Sequence, residues 1–257
     1  SDLVTSSSFK PSHTKTFAMR KLPLIFFTLV VFSSCQYMFR EKIRGNGHII
    51  TEQKTIGDFS SIELRGSMNV HVKKETANLL KIETDDNLLP YIEVYTEGDK
   101  LIVREKQGYN LRPTRDINVY ASAPVFRAIR LSGAGDILSD NTISGNESLD
   151  VVLSGSGGMK LDVEVPKITS HVSGSGDISL KGAATDADLS LSGSGSVRCM
   201  DLVSDNVSLQ VSGSGDAGVT ANKTLNVKIS GSGSVAYRGN ASVSQKISGS
   251  GEVRKVN

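Results

Sequence analysis

Seven short segments concentrate the side chains of this sequence that could do chemistry. From Leu131 the chain reads LSGAGD. It returns with LSGSGG from Leu153, VSGSGD from Val172, LSGSGS from Leu191, VSGSGD from Val211, ISGSGS from Ile229 and ISGSGE from Ile247. Serine hydroxyls beside turn carboxylates could ligate calcium or supply a nucleophile. Calcium turns of the nonapeptide kind need an Asp at every turn, so that adjacent coils share one ion. Here the period is about twice as long, and about half of the turns carry an acid (Asp136, Asp177, Asp216 and Glu252). A structural glycine turn is the expectation, and the serines lack the paired His and acid of a hydrolase nucleophile.

Other reactive residues are dispersed. Asp162 and Glu164, preceded by Lys160, could form the carboxylate and base of a polysaccharide lyase or hydrolase. Their alternation instead reads as the solvated face of a strand, and with aromatics at 5% and no Trp there are few platforms for sugars. His48, His71 and His171 lie far apart, with His171 on the outward side of its strand, and no H-x-x-x-H or C-x-x-C spacing points to a metal. Cys199 shares an inward column with Leu161, Leu180 and Val219 and reads as a small core residue. No catalytic, cofactor-binding or metal-ligating residue is nominated, and no cofactor is expected.

What must position these segments is set by their spacing. The serines at 132, 154, 173, 192, 212, 230 and 248 are 22, 19, 19, 20, 18 and 18 residues apart, a period that means a solenoid or array. Before each bend apolar residues recur at every second place, as in Leu149, Val151, Leu153 or Val207, Leu209, Val211. After it a second column (Ile137, Met159, Ile178, Val197, Ala217, Val235, Val253) and a third (Leu161, Leu180, Cys199, Val219, Tyr237) follow. Period-two alternation marks strands with one buried face. Each repeat therefore reads as strand, bend, strand and a looser polar return such as 182–186, 204–206 or 239–241. A single hairpin could not bury its apolar face, whereas parallel stacking of coils would. The residues after the bends run Asp136, Gly158, Asp177, Ser196, Asp216, Ser234, Glu252, so acids alternate with uncharged residues. Stacking would then separate the acids by about 10 Å instead of about 4.8 Å.

Upstream, residues 48–130 hold shorter alternating runs. Gly98-Asp99 reads as the turn of a hairpin between 92–96 and 101–105. Leu64-Arg65-Gly66-Ser67 reads as a degenerate first copy of the bend. The expected fold class is all-β: a parallel β-helix or solenoid over 131–257, with larger, irregular coils over 48–130.

The leader carries an address. Arg20 and Lys21 precede an apolar run from Leu22 to Phe32, and Ser33-Ser34 then lead into Cys35. This is a secretory signal in outline, too short to span a bilayer. The terminal cysteine makes it look like a bacterial lipoprotein signal, with Phe32 where Leu is more usual. Cys35 is accordingly the expected lipidation site, residues 1–35 a leader and 36–47 a polar tether. Residues 1–18, which precede a plausible start at Met19, are excluded from the fold.

The order of features resembles the putative auto-transporter adhesin, head GIN domain family of surface lipoproteins. The matching residues begin at Phe59-Ser-Ser-Ile62-Glu-Leu64-Arg-Gly66-Ser67-Met-Asn-Val70. They continue with Ile82-Glu-Thr-Asp-Asp-Asn87-Leu88-Leu89 and Gly98-Asp-Lys-Leu101-Ile-Val103, and then the SGSGD coils. The resemblance implies a right-handed parallel β-helix and an adhesin-like role at the cell surface, with no catalytic residues to carry over.

Together these readings predict a non-enzymatic lipoprotein of the cell envelope, at the outer membrane or cell surface. Its expected partners are the membrane through the lipid anchor, an extracellular protein or glycan, and further copies of itself. Basic and acidic residues balance at 29 and 27 and are scattered, which argues against nucleic acid. The alternatives are a periplasm-facing envelope scaffold and, less favoured, a polysaccharide-cleaving enzyme.

Overall fold

In the computed structural model the described residues, 40–145 and 147–257, are β-structure with one 3-10 turn. Two strands, β1 (Glu41–Arg44) and β2 (Ile49–Lys54), precede the first coil. That coil is β3 (Ser61–Gly66), a bend, and β4 (Asn69–Lys74). The alternation of Ile62, Leu64, Val70 and Val72 sends all four into the core, each at 0% exposure.

The chain then makes an excursion. It comprises β5 (Leu79–Asp85), the 3-10 turn Leu89–Tyr91, β6 (Ile92–Glu97), β7 (Lys100–Glu105), β8 (Tyr109–Arg112) and β9 (Asn118–Ala123). Strands β6 and β7 are the expected hairpin, closed between Glu97 and Lys100 by Gly98-Asp99. Gly98 has φ +63° and no non-glycine residue among those described has positive φ, so glycine takes the first central position of the turn.

Regular coils follow. They are β10 (Ala128–Gly133), β11 (Asp136–Ser139), β12 (Ile143–Ser144), β13 (Ser148–Gly155), β14 (Gly158–Gly174), β15 (Asp177–Gly193), β16 (Ser196–Gly213) and β17 (Asp216–Gly231). β18 (Ser234–Arg238), β19 (Ser242–Gly249) and β20 (Glu252–Lys255) complete the stack. Every pairing between these coils is parallel, so the solenoid expected from the repeat is the observed fold.

The bends explain the Ser-Gly-x-Gly motif. In register, Gly66, Gly133, Gly155, Gly174, Gly193, Gly213, Gly231 and Gly249 lie one above the next. Gly155 has φ +130°, and a Cβ there would sit 2.2 Å from the carbonyl oxygen of Gly133. That oxygen accepts the backbone N–H groups of Ser156 at 3.0 Å and Gly157 at 3.2 Å, tying coil to coil. Gly157 is equally constrained, because its Cβ would meet the Gly135 oxygen at 2.1 Å. Both glycines are thus required by stacking. The Leu64–Gly66 segment is indeed a first copy of the bend: Gly66 accepts from Ala134 and Gly135.

Two expectations need correction. The polar returns at 182–186 and 204–206 are not loose; they lie inside β15 and β16 and pair with neighbouring coils. Polar side chains such as Thr185 and Asp186 face outward while the backbone stays in the ladder, and Ser204 turns inward and is buried. Coil-length differences appear as register shifts after Ser179, Cys199 and Ser204, leaving the glycine bends in register. Part of the 36–47 tether is also structured, since β1 pairs in parallel with β8.

The winding order is not the chain order. β3 lies between β7 and β10, and β4 between β9 and β11, so a segment later in sequence stacks outside the first coil. Beyond it the strands turn antiparallel: β6 on β7, β5 on β9 and β2 on β5. Leu88, Leu89 and Leu111 join the core there, with Ile43, Tyr91 and Tyr109 packed against it, closing this end of the stack.

Candidate functional site

Strands β4, β9, β5 and β2 lie side by side, and alternation sorts their side chains. Val70, Val72, Val119, Ala121, Leu80 and Ile82 point inward and are buried. On the outer face, His71 stands opposite Tyr120 and Lys73 opposite Ser122, while across the antiparallel pair Lys81 meets Tyr120 and Leu79 meets Ser122. With Thr51, Glu75 and Asp140 they line a shallow depression of about 380 Å³.

Its centre is aromatic. The His71 and Tyr120 rings stack with centroids 5.0 Å apart and planes at 26°. His71 Nδ1 lies 2.9 Å from Asp140 Oδ1, which orients the imidazole. Tyr120 and Leu79 remain 36% and 37% exposed, so apolar surface faces solvent here. Burial raises the Tyr120 pKa first, with the charges of Glu83 and Asp140 adding to it, so the phenol stays protonated and neutral. At the rim Lys73 Nζ lies 2.5 Å from Glu75 Oε1. Their hydrogen bond lowers the Glu75 pKa and raises that of Lys73. The depression thus offers an apolar and aromatic floor ringed by donors and acceptors.

A second polar cluster fixes the frame beside it. Asp85 is fully buried; its Oδ1 accepts the Gly47 N–H at 2.6 Å and the Thr114 hydroxyl at 2.8 Å, and its Oδ2 the Thr114 N–H at 2.9 Å. Burial pushes its pKa upward, but the donors of Thr114 and Gly47 outweigh it and hold the carboxyl below its ordinary value. Gly45 must be glycine for the same reason: a Cβ would lie 2.3 Å from Asp85 Oδ2. Asp86 and Asn87 extend the clamp, since the Asn46 side chain donates to Asp86, the Asn46 N–H donates to Asn87, and the Asn87 side chain donates to the Arg44 carbonyl. His48 Nδ1 lies 3.0 Å from Asp86 Oδ2, which gives that histidine a structural partner.

Residues singled out in the sequence fall elsewhere. Cys35 lies outside the described residues. Cys199 is buried, and burial pushes its thiol up to about 12, which leaves no reactive thiolate at neutral pH. Lys160 and Glu164 are exposed, and Asp162 pairs with Lys181 at 3.2 Å across to the next coil. His171 is exposed on β14. Among the described residues no group of three or more His, Cys, Asp or Glu is placed to hold a metal.

The turn acids do more than avoid one another. Asp177 Oδ1 accepts the N–H and hydroxyl of Ser196 in the next coil at 3.0 and 2.7 Å, and Asp216 accepts the Ser234 N–H at 3.2 Å. Burial raises the Asp177 pKa, but Ser196 and Arg198 outweigh it and the net shift is downward. Sequence reasoning missed the depression because its residues span positions 51 to 140. Asp85 to Asn87 stood out only as part of a family resemblance.

The family model described as "putative auto-transporter adhesin, head GIN domain" matches residues 58–241. The chain belongs to that family. Among solved structures it is similar to a putative adhesin from Bacteroides fragilis (TM-score 0.78, 23% identity), covering 83% of this chain and 100% of that one. It is also similar to a structure named as a putative lipid binding protein from Parabacteroides distasonis (TM-score 0.70, 23% identity, 84% and 100% covered). A putative adhesin from Parabacteroides merdae aligns with a TM-score of 0.66 at 24% identity, again over 84% and 100%. None of the curated proteins matches this chain.

Proposed function

We propose that this protein is a non-enzymatic, adhesin-like lipoprotein of the cell envelope, held in the membrane by acyl chains at Cys35 and displaying its solenoid outside the cell. Two acyl signals are needed for stable anchoring, which lipoprotein processing at a cysteine would supply. The binding surface of this reading is the depression around Tyr120. The observation that carries it is the exposed Tyr120–His71 stack beside Leu79, ringed by charged side chains on a sheet whose other face is the core. A rigid sheet holds such groups without the ordering entropy that a loop would lose on contact.

The test is a glycan and protein-ligand array probed with residues 36–257 and with its Tyr120→Ala variant. Binding lost in the variant at an unchanged melting temperature supports the site; ligands bound equally by both place recognition elsewhere. Membrane partition of Cys35→Ser in cells tests the anchor, and a variant that stays with the membrane removes it. Protease accessibility on intact cells distinguishes outward display from a periplasm-facing position.

A further inference from the structure

The two ends of the stack differ. The N-terminal end finishes in antiparallel strands and side chains that join the core. At the C-terminal end β19 pairs only with β17, and β20 only with β18, among the described residues. In β17 the inward residues Leu225, Val227 and Ile229 are 0–2% exposed, whereas one coil later Val243 and Ile247 are 37% and 38% exposed. The register places Val243 over Leu225, Gln245 over Val227 and Ile247 over Ile229, so these three face inward while Ser244 and Lys246 face outward. Among the described residues no strand covers the far side of β19, so its backbone N–H and C=O groups there are a template for another strand.

We infer that this edge pairs with the same edge of a second copy, antiparallel, about a two-fold axis through Gln245. The sequence SVSQKISG of β19 is its own complement in that register alone. Centred on Gln245, Val243 meets Ile247 of the second copy and Ile247 meets Val243, both on the core side. The two Gln245 amides face each other, and each can donate and accept. On the outer side Lys246 meets Ser244. Centring on Lys246 instead puts two ammonium groups directly opposite, which is destabilising, and sets Ile247 against Gln245. A shift by half a step would oppose inward with outward residues. Lys246 and Gln245 thereby select one register instead of blocking the edge.

A second copy also suits the edge better than head-to-tail growth. The opposite end finishes in the antiparallel strands β2, β5 and β6, so it does not present the parallel edge that would extend a stack. The contact is isologous and closes at two copies. β1 and β2 lie at the capped end, so two copies joined at β19 hold their β1 strands at opposite ends of the pair. Resting on the proposed anchor at Cys35, this arrangement would join two membranes through paired tips.

Residues 36–257 include the compact unit 41–257, and the similar solved chains align with it over 100% of their own length. Sedimentation velocity over a hundredfold concentration range should show a monomer–dimer equilibrium. Ile247→Lys, at a position already 38% exposed, should weaken it at least tenfold, with an unchanged melting temperature at concentrations where both proteins are monomeric. Gln245→Cys should give a disulfide-linked dimer on mild oxidation, because directly opposed residues of an antiparallel pair lie about 4.5–5.5 Å apart at Cα, within disulfide reach. Buried Cys199 does not compete. A strictly monomeric protein, or a dimer that neither cross-links at Gln245→Cys nor responds to Ile247→Lys, overturns the proposal. None of these measurements involves the anchor, so failure of Cys35 lipidation and failure of tip pairing are read separately.

Discussion

From Leu131 to Gly249 the chain repeats one coil, and each coil touches only its neighbours. From Ser61 to Ala123 the same strand–bend–strand unit is interrupted, and a later segment stacks outside an earlier one. In the repeat, close backbone approach at the bends carries the architecture, and side chains on the outer faces are free to vary. In the N-terminal part, buried polar contacts such as those of Asp85 hold irregular connections in place. The irregular part is also where an aromatic pair is left on the surface. Regular stacking makes a stable rod; departures from it make a cap and a recess.

The largest expected effect breaks the repeat. Gly155→Val places a Cβ against the Gly133 carbonyl at a positive φ. Backbone strain and overpacking together should lower stability by about 3 kcal/mol or more. The matching change in the irregular half, Gly98→Ala, meets nothing within 4 Å and should lower it by only about 1–2 kcal/mol through its φ of +63°. Urea denaturation of both variants checks this; equal effects would remove the claim that stacking dictates the bend glycines.

The Asp85 clamp carries the next largest effect. Asp85→Asn sets an amide NH₂ against the N–H groups of Thr114 or Gly47 and should destabilise the protein by about 2–3 kcal/mol. Because the folded carboxyl titrates below its ordinary value, its contribution is fully present above the unfolded pKa of about 3.9. It is lost as pH falls through the folded value. The gap between wild type and variant should therefore be widest above about pH 5 and close in acid, as followed by thermal melts across pH. A pH-independent gap would point to packing rather than charge.

Smaller effects sharpen the account of the repeat. Ser196→Asp removes the hydroxyl donor to Asp177 and inserts a carboxylate between Asp177 and Asp216. A loss of about 1 kcal/mol is expected, reduced by salt; no change would return the alternation of turn acids to chance. Ser170 is an inward residue whose hydroxyl is fully buried with no hydrogen-bond partner, between Val151 and Leu189 in register. Ser170→Val should raise stability by about 1 kcal/mol, measured by denaturant midpoint at constant m-value.

The repeat was legible because its signals are local. Leu149, Val151 and Leu153 alternate within one strand, and Gly98-Asp99 sits between two strands that pair. The returns at 182–186 were misread because their polarity looks like a loop, although outward side chains say nothing about whether the backbone stays in a ladder. Tyr120, His71 and Asp140 gave no signal as a group, since each is an ordinary outward residue until β9 lies against β4.

The sequence by itself determined the solenoid, the bends and which residues face inward, because period-two geometry and the absence of a Cβ act within a few residues. Only the tertiary structure decided that β7 and β9 stack outside β3 and β4, that Asp85 receives Thr114 and Gly47, and that β19 ends with its inward residues uncovered. Those outcomes depend on which distant strands share a hydrogen-bonded edge, and that is settled by burial of the whole core rather than by any local pattern.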